Sequence, residues 1–209
     1  MEQAGLYFHI PFCASKCPYC DFYSVKYCDE AAEEYCNRVI EEIRRYDGEF
    51  DSVYFGGGTP SIIKPHLIGE VLSAARGQFK IDKNSEITIE CNPSSDLSEA
   101  FKLYKSYGIN RVSIGMQSAV DSERFALGRR AGKKEVEKAV NDARAAGIEN
   151  ISLDLMLGTP KQTLKSLEES FDFIDKMQVQ HISAYMLKSK AAPSFMKCKK
   201  DSLFPMRIR

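Results

Sequence analysis

Three cysteines near the start of the chain have a spacing that suits metal chemistry. Cys13, Cys17 and Cys20 form a C-x3-C-x2-C arrangement in the loop that is predicted to follow the first strand. Three thiolates on one short loop can bind three irons of a [4Fe–4S] cube and leave the fourth iron without a protein ligand. Such an open iron can bind and reduce a small molecule. The spacing therefore favours an iron–sulfur cluster held by these cysteines.

Structural zinc is the main alternative for the same loop. Zinc requires four tetrahedral ligands, and structural zinc sites usually show a second paired half-site. Cys28 and His9 could supply a fourth ligand, but the sequence has no second C-x2-C pair and no H-x3-H pair. Ordinary buried cysteines are a third interpretation. The iron content of the purified protein distinguishes the three.

Glycines and polar residues follow the later predicted strands. Residues 56–59 read Gly-Gly-Gly-Thr, and three glycines let the backbone approach a ligand closely. Glu90 ends the third predicted strand, Gln117 follows the fourth, and Asp154 lies near the end of the fifth. Ligand sites of parallel α/β folds gather at the carboxyl ends of the strands. Five consecutive strand ends, including the cysteine loop, therefore predict one shared site.

The elements that would position these residues alternate between short apolar runs and amphipathic stretches. The runs typical of strands span residues 6–10, 52–55, 86–90, 111–114, 151–155 and 181–185. The stretches typical of helices span residues 30–46, 65–79, 97–107, 133–146 and 163–177, and Gly147 is a suitable C-cap for the fourth. This alternation predicts parallel strands joined by crossovers, in either an open doubly wound sheet or an incomplete barrel.

Composition excludes several classes of protein. The 209 residues are 44% hydrophobic and 28% charged, with 29 basic and 29 acidic residues, so a strongly basic nucleic-acid binder and a membrane-surface module are disfavoured. No apolar run approaches the roughly 18 residues that cross a bilayer, and the N-terminus lacks a signal-peptide pattern. These features predict a cytoplasmic protein without a transmembrane segment, in which clustered cysteines more often bind metal or react than form disulfides.

Taken together, the motifs resemble the radical S-adenosylmethionine (SAM) superfamily. Within it, the chain closely resembles the oxygen-independent coproporphyrinogen III oxidase family over about residues 5–187. The resemblance implies an α/β fold of the radical SAM type, a parallel (β/α)6 partial barrel. It rests on Tyr-Phe-His-Ile-Pro-Phe-Cys at 7–13, Phe-Gly-Gly-Gly-Thr-Pro-Ser at 55–61, Glu-Cys-Asn-Pro at 90–93, Arg-Val-Ser-Ile-Gly-Met-Gln at 111–117, Leu-Gly-Arg at 127–129 and the stretch 154–163.

The resemblance also implies roles for individual residues. Cys13, Cys17 and Cys20 would hold the cluster, and SAM would chelate the open iron through its amino and carboxylate groups. One electron from the cluster would cleave SAM into methionine and a 5′-deoxyadenosyl radical. The residues that match contacts to this SAM are Tyr7, Gly57 and Glu90. Those that match contacts to a second SAM in the oxidase are Tyr19, Gly58, Thr59, Gln117, Arg129 and Asp154.

One position separates the branches of this family. The oxidase carries a further cysteine two residues after the third, whereas this chain has Phe22, as in the haem chaperone branch known as HemW. This implies a protein that binds haem and delivers it to respiratory proteins, with flavodoxin or ferredoxin as the electron donor. Radical decarboxylation of coproporphyrinogen is the alternative function, and a structural zinc-binding protein is the second alternative. A departure from the family is Ala131, in the loop after Arg129 where the family usually has a histidine.

The last 22 residues do not resemble the family. Residues 1–187 carry 22 basic and 28 acidic residues, so their net charge is −6, whereas residues 188–209 carry seven basic residues and one acidic residue, a net charge of +6. We therefore expect a radical SAM core at 1–187 and an atypical basic tail at 188–209, as in a truncated or frameshifted reading frame that lacks the last barrel helix and a C-terminal domain. The sixth strand would then lack a covering helix, which predicts poor solubility.

Overall fold

Strands and helices alternate through residues 4–93 and 96–187, which are the residues that the computed structural model describes. The strands are β1 (Gly5–Ile10), β2 (Phe12–Cys13), β3 (Val25–Lys26), β4 (Glu49–Gly57), β5 (Lys80–Cys91), β6 (Arg111–Gln117), β7 (Asn150–Leu157) and β8 (His181–Met186). The helices are α1 (Asp29–Ile43), α2 (Pro65–Gln78), α3 (Ser98–Tyr107), α4 (Asp121–Ala126), α5 (Lys133–Ala145) and α6 (Leu164–Met177), and Pro60–Ile62 forms a short 3₁₀ helix.

Six of the strands form one parallel sheet in the order β1-β4-β5-β6-β7-β8. Each strand lies beside the strand that precedes it in this series, with a helical connection between them, as in repeated β-α-β units. β1 and β8 are the edges of the sheet. The fold is therefore the predicted (β/α)6 partial barrel, and all six predicted strands and five predicted helices are present.

Alternation along the strands divides the sheet into an apolar face and a polar face. The apolar positions, for example Ile87, Ile89, Ile151 and Leu153, are buried in one core together with the inward faces of the helices. The intervening positions of β5, β6 and β7 form the other face, where Arg111 donates to Thr88 and Ser113 donates to Asp154. The members of this polar face in these three strands are Thr88, Glu90, Arg111, Ser113, Ser152 and Asp154.

Helix α5 ends at the glycine that the sequence predicts as its C-cap. Gly147 has φ of +81°, and its N–H donates to the carbonyl of Arg144 at 2.8 Å while the N–H of Ile148 donates to Ala143 at 2.9 Å. These bonds satisfy the last carbonyls of the helix in the Schellman arrangement, which glycine favours because it lacks Cβ. The chain can then turn directly into β7, which keeps the strand end close to its neighbours.

Some elements differ from the sequence prediction in their extent. β5 begins at Lys80, six residues before the predicted start, because its polar first half pairs with the start of β4, where Lys80 forms an ion pair with Glu49 at 3.0 Å. α4 was not predicted, because a six-residue helix is too short to show an apolar period. Neither difference changes the order of the sheet.

The exposed side of β8 is apolar. Ile182 is 39% exposed and Met186 is 66% exposed, whereas their partners in the neighbouring β7, Leu153 and Leu157, are buried and half-buried. We expect Met186→Lys to stay monomeric in light scattering at higher protein concentrations than wild type does. Its free energy of unfolding should change by no more than about 0.5 kcal/mol. The matched change at the fully buried Met116 should unfold the chain, because it places a charge in the core. Equal association of wild type and Met186→Lys would contradict this prediction.

Two further expectations from the sequence concern the basic tail and transmembrane segments. The predicted basic tail, 188–209, lies outside the described residues. Within residues 4–93 and 96–187, no helix has the length and apolar character that crossing a membrane requires.

Candidate functional site

The cysteine loop is closed by a small sheet of its own. β2 pairs in parallel with β3, and the N–H of Tyr27 donates to the carbonyl of Cys13 at 2.9 Å. Inside the loop, the N–H of Cys20 donates to the carbonyl of Cys17 at 3.1 Å, and Lys16 donates to Ser24 Oγ at 3.2 Å. The loop is therefore held at both ends and by an internal turn. It presents its three cysteines at the carboxyl end of β1.

The three thiols of this loop are free and close to one another. Cys13 is buried, and Cys17 and Cys20 are half-buried. Burial raises the pKa of the Cys20 thiol, and the neighbouring Cys17 and Cys13 add to the rise, while a backbone hydrogen bond from Phe22 and the charge of Lys16 oppose it. The Cys20 thiol is therefore near enough to Cys17 and Cys13 to be influenced by them. Soft thiolates in such a group suit iron–sulfur clusters and zinc.

The side chains of the cysteine loop are not arranged as the ligands of a single metal ion. Among residues 4–93 and 96–187, no three His, Cys, Asp or Glu side chains are gathered as ligands of one metal ion. In a cubane cluster each cysteine binds a different iron, so the thiols need not converge on one point. The two residues considered as a fourth zinc ligand have other partners: Cys28 donates to Glu30 at 2.8 Å, and His9 Nε2 lies 2.9 Å from the carbonyl of Tyr23. The three free thiols of this loop therefore fit an iron–sulfur cluster.

The glycine loop, residues 56–59 at the end of β4, is hydrogen-bonded to the start of the cysteine loop. The N–H of Gly58 donates to the carbonyl of Ile10 at 2.8 Å, and that of Thr59 donates to Phe12 at 2.8 Å. Thr59 Oγ1 also lies 3.5 Å from Cys13 Sγ. The structure therefore brings Gly58 and Thr59 against the cysteine loop, as the strand-end argument predicts.

Glu90 connects β5 to the same glycine loop. Its carboxylate accepts hydrogen bonds from Tyr54 Oη at 2.9 Å and from the N–H of Gly57 at 3.1 Å. Burial raises the pKa of Glu90, and these two hydrogen bonds oppose the rise. Tyr7 lies beside them, with its ring 6.0 Å from that of Tyr54. The pKa of Tyr7 rises to about 12 through burial and the nearby Glu90. Tyr7, Gly57 and Glu90 thus form one group at the ends of β1, β4 and β5.

Close approach at this group depends on glycine. A Cβ at Gly56 would lie 3.0 Å from the Tyr7 ring and 3.1 Å from Glu90. Gly57 has φ of +113°, and a Cβ there would lie 2.6 Å from the His9 ring. Both glycines are therefore required by close packing, because a Cβ would displace the Tyr7, Glu90 or His9 side chain.

A second group lies at the ends of β6, β7 and β8. Arg129 Nε donates to Tyr19 Oη at 2.8 Å, with its guanidinium carbon 5.9 Å from the Tyr19 ring centroid. Gln117 accepts a hydrogen bond from Tyr185 Oη at 2.7 Å, and Asp154 accepts one from Ser113 at 3.0 Å. Tyr185, Tyr54 and Ser113 were not predicted as site residues. They lie at positions that alternate with buried apolar residues along their strands. This period of two is the signal that could have identified them.

The comparisons with known proteins agree with this geometry. The family model of the Radical SAM superfamily matches residues 7–174. The chain belongs to this superfamily. A [4Fe–4S] cluster and SAM are the cofactors of its radical chemistry. The match covers β1 to β7 and most of α6, and so includes every strand end that carries a candidate site residue.

Curated relatives cover nearly the whole of this radical SAM chain. The haem chaperone HemW of Haemophilus influenzae is 36% identical over 90% of this chain and 51% of its own length. HemW of Escherichia coli is 33% identical over 90% of this chain and 51% of its own length. A mitochondrial radical SAM domain-containing protein 1 of Mus musculus is 33% identical over 88% of this chain and 43% of its own length. The chain thus spans about half the length of the curated relatives it matches.

Solved structures share the fold. Coproporphyrinogen III oxidase of Escherichia coli superposes with a TM-score of 0.79 and 22% identity, covering 90% of this chain and 45% of that one. Methylornithine synthase superposes with a TM-score of 0.64 and 13% identity, covering 96% of this chain and 58% of that one. At these identities the superpositions support the radical SAM fold and nothing finer.

The radical SAM site contains a carboxyl group whose ionisation opposes folding. Burial raises the pKa of Asp154 from 3.8 to about 6, with nearby Glu90 adding to the rise and the Ser113 hydrogen bond opposing it. Between these pH values the folded chain keeps a proton that the unfolded chain has released, so stability falls as pH rises from about 4 to 6, by about 3 kcal/mol. We expect Asp154→Asn to flatten this part of the profile in urea melts at pH 4, 5, 6 and 7. The exposed Asp172→Asn is the control, and parallel profiles for Asp154→Asn and wild type would contradict the prediction.

Proposed function

We propose that this chain is the cofactor-binding part of a haem chaperone of the HemW type, with residues 1–187 as its radical SAM core. The observation that carries this proposal is the identity of 36% and 33% to proteins named HemW across 90% of the chain. Phe22 supports it, because the branch with oxidase activity has a cysteine at this position. Its side chain is 63% exposed at the rim of the cysteine loop.

In this proposal the cysteine loop holds the cluster. Cys13, Cys17 and Cys20 bind three irons, and the main-chain bonds of Gly58 and Thr59 keep the loop against the end of β4. The bound cluster supplies the electron that cleaves SAM reductively. Cys13 is buried, whereas Cys17 and Cys20 are half-buried, so a cluster held by the three would be reached from the side of Cys17 and Cys20.

The first SAM position lies beside this loop. Glu90 is fixed by Tyr54 and by the N–H of Gly57, so its carboxylate is oriented before any ligand arrives. A carboxylate accepts hydrogen bonds from the ammonium group of an amino acid, which suits the methionyl part of SAM. Tyr7 is 52% exposed and offers an aromatic face next to Glu90. Gly57 leaves main-chain space for the ligand.

The second group would bind a second SAM or the carboxylates of a porphyrin. Arg129 is the cation of the group and is held in place by Tyr19. Gln117 offers its amide nitrogen, since its oxygen accepts from Tyr185. Asp154 can accept a hydrogen bond from a ribose hydroxyl or an amine. Haem binding, delivery to respiratory proteins and an electron donor such as flavodoxin or ferredoxin belong to the same proposal.

Anaerobic reconstitution of the chain with iron and sulfide tests the proposal. We expect about one [4Fe–4S] cluster per chain, SAM cleavage to 5′-deoxyadenosine after reduction, and a haem absorption band on titration with haemin. Conversion of coproporphyrinogen in the same preparation would instead support the oxidase. Zinc bound in place of iron after reconstitution, with neither SAM cleavage nor haem binding, would overturn both.

A further inference from the structure

Arg124 is a charged side chain in an unusual place. It lies in the short helix α4, and its relative exposure is 0%, so its guanidinium is removed from water. Burial and the positive charge of nearby Arg129 together lower its pKa to about 10, against the opposing charges of Asp121 and Glu135. Among residues 4–93 and 96–187, no carboxylate lies within 4.0 Å of it. A buried guanidinium without an ion pair must be stabilised by other polar groups.

Main-chain carbonyls take that role for Nε and Nη1, whereas Nη2 has no hydrogen-bond partner among the described residues. Arg124 Nη1 donates to the carbonyls of Met116 and Ser118, the latter at 2.9 Å. Its Nε donates to the carbonyl of Ala131 at 2.6 Å. In addition, the carbonyl of Arg124 accepts the N–H of Arg129 at 2.9 Å. One residue therefore joins the end of β6 to the loop that precedes α5.

The two carbonyls on the β6 side flank Gln117. This residue has φ of +67°, a left-handed backbone conformation that a residue with Cβ adopts only when its surroundings enforce it. The regular pairing of β6 with β7 is also interrupted between Ile114 and Gln117. Arg124 thus holds the carbonyls of the residues before and after Gln117, in a turn that the N–H of Ser118 also closes by donating to the carbonyl of Met116 at 2.9 Å. In this turn the Gln117 side chain meets Tyr185.

The same segment is held from a second direction. Ser118 Oγ donates to Glu123 Oε2 at 2.8 Å and accepts the N–H of Val120 at 2.9 Å. Glu123 Oε2 is also 3.5 Å from Thr159 Oγ1, in the loop after β7. Glu123 therefore connects the loops after β6 and β7. Arg124 connects β6 to the loop of Arg129.

We propose that Arg124 is a positioning residue that sets the backbone of Gln117 and of the Arg129 loop, and thereby the affinity of the second ligand position. Arg124 itself is buried and does not touch the ligand. Its effect reaches the ligand through Gln117 and Arg129 only. This inference rests on the proposed function for the identity of the ligand, SAM, but the effect on the backbone is independent of it.

Two variants and one matched control test the proposal. Arg124→Leu leaves a shorter, apolar side chain in the buried space and removes all three hydrogen bonds to the carbonyls. Arg124→Lys keeps the charge but can reach fewer carbonyls than a guanidinium. Arg130→Leu makes the same charge change at the exposed neighbour of Arg129. All are compared with wild type after thermal melts.

Hydrogen exchange followed by mass spectrometry is the first readout and needs no ligand. In Arg124→Leu, we expect exchange in peptides covering 115–119 and 127–132 to be about tenfold faster, with unchanged exchange in β1 and β4. Arg124→Lys should give a smaller increase, and Arg130→Leu none. If Arg124→Leu does not fold, the lysine variant alone decides the result. Unchanged exchange in a folded Arg124 variant would overturn the proposal.

Calorimetric titration of reconstituted protein with SAM is the second readout. We expect Arg124→Leu to weaken the second binding event about 3- to 30-fold while the first event and the iron content stay at wild-type values. A merely destabilising substitution would weaken both events together. If wild type binds no second SAM, that part of the proposed function fails, and hydrogen exchange still decides the role of Arg124. An unchanged second event in Arg124→Leu would overturn the inference while leaving the proposed function intact.

Discussion

Replacing Cys17 by alanine is expected to reduce the iron content of the reconstituted chain to background and to abolish its iron–sulfur absorption. Cys17 is half-buried on the loop between β2 and β3, and its thiol is one of three on that loop. No neighbouring cysteine can replace the third ligand. Cys28, the next along the chain, lies beyond β3 and donates to Glu30. Iron and sulfide analysis together with visible absorption and electron paramagnetic resonance measures the effect.

The fold should survive this change. The loop is closed by the bond from Val25 N–H to the carbonyl of Pro11 at 2.7 Å and by that from Tyr27 to Cys13, and neither involves Cys17. We therefore expect the free energy of unfolding of the metal-free protein to change by less than about 1 kcal/mol. Cys28→Ala is the matched control and should keep its full iron content. Iron retained in Cys17→Ala, or lost equally in Cys28→Ala, would show that these cysteines do not hold the cluster as proposed.

Local patterns in the sequence predict most of the fold because each element follows a rule that acts within a few residues. Short apolar runs predicted the strands, and the positive φ of Gly147 at the end of α5 confirms a C-cap signal that depends only on glycine. The strand-end argument placed Glu90, Gln117 and Asp154 on one edge because a parallel sheet brings carboxyl ends together. Their positions in β5, β6 and β7 follow that argument.

The interior of the site was less predictable because its contacts join residues through main-chain groups. Glu123 and Arg124 are adjacent charges in a short polar stretch, which in sequence is typical of an exposed turn, yet both are buried. Arg124 bonds to carbonyls, which every residue has, so no side-chain pattern marks its partners. The left-handed backbone of Gln117 is equally hidden, because glutamine has no local preference for it.

The pairing of the cysteine and glycine loops also arises from main-chain contacts, although its signal is visible in sequence. Consecutive glycines predicted a close approach without saying what approaches. In the structure, Gly58 lies against the carbonyls of Ile10 and Phe12, so this glycine serves the packing of two protein segments. Gly57 instead faces the His9 ring and the Glu90 carboxylate. Adjacent glycines therefore make different close contacts, Gly58 with main-chain carbonyls and Gly57 with side chains.

This difference leads to a large effect expected for Gly58→Ala. A Cβ at this position would lie 2.7 Å from the carbonyl oxygen of Phe12 and 2.9 Å from that of Ile10, and both are main-chain atoms held by strands. The loops would have to separate, which strains the packing by about 1–3 kcal/mol and weakens the bonds from Gly58 and Thr59 by about 0.5–1.5 kcal/mol each. For a loss of about 3 kcal/mol in a chain of this size, we expect Tm to fall by about 6–12 °C.

Gly77→Ala provides the matched comparison for this prediction. Gly77 lies in α2, and a Cβ there would meet no atom within 4 Å. Alanine should therefore stabilise the helix by about 0.5 kcal/mol and leave iron content and SAM binding unchanged. Gly58→Ala should lower both, since moving the glycine loop displaces Thr59 from Cys13 and Gly57 from Glu90. A Gly58→Ala variant that melts like wild type and binds a full cluster would show that docking of the two loops does not hold the site together.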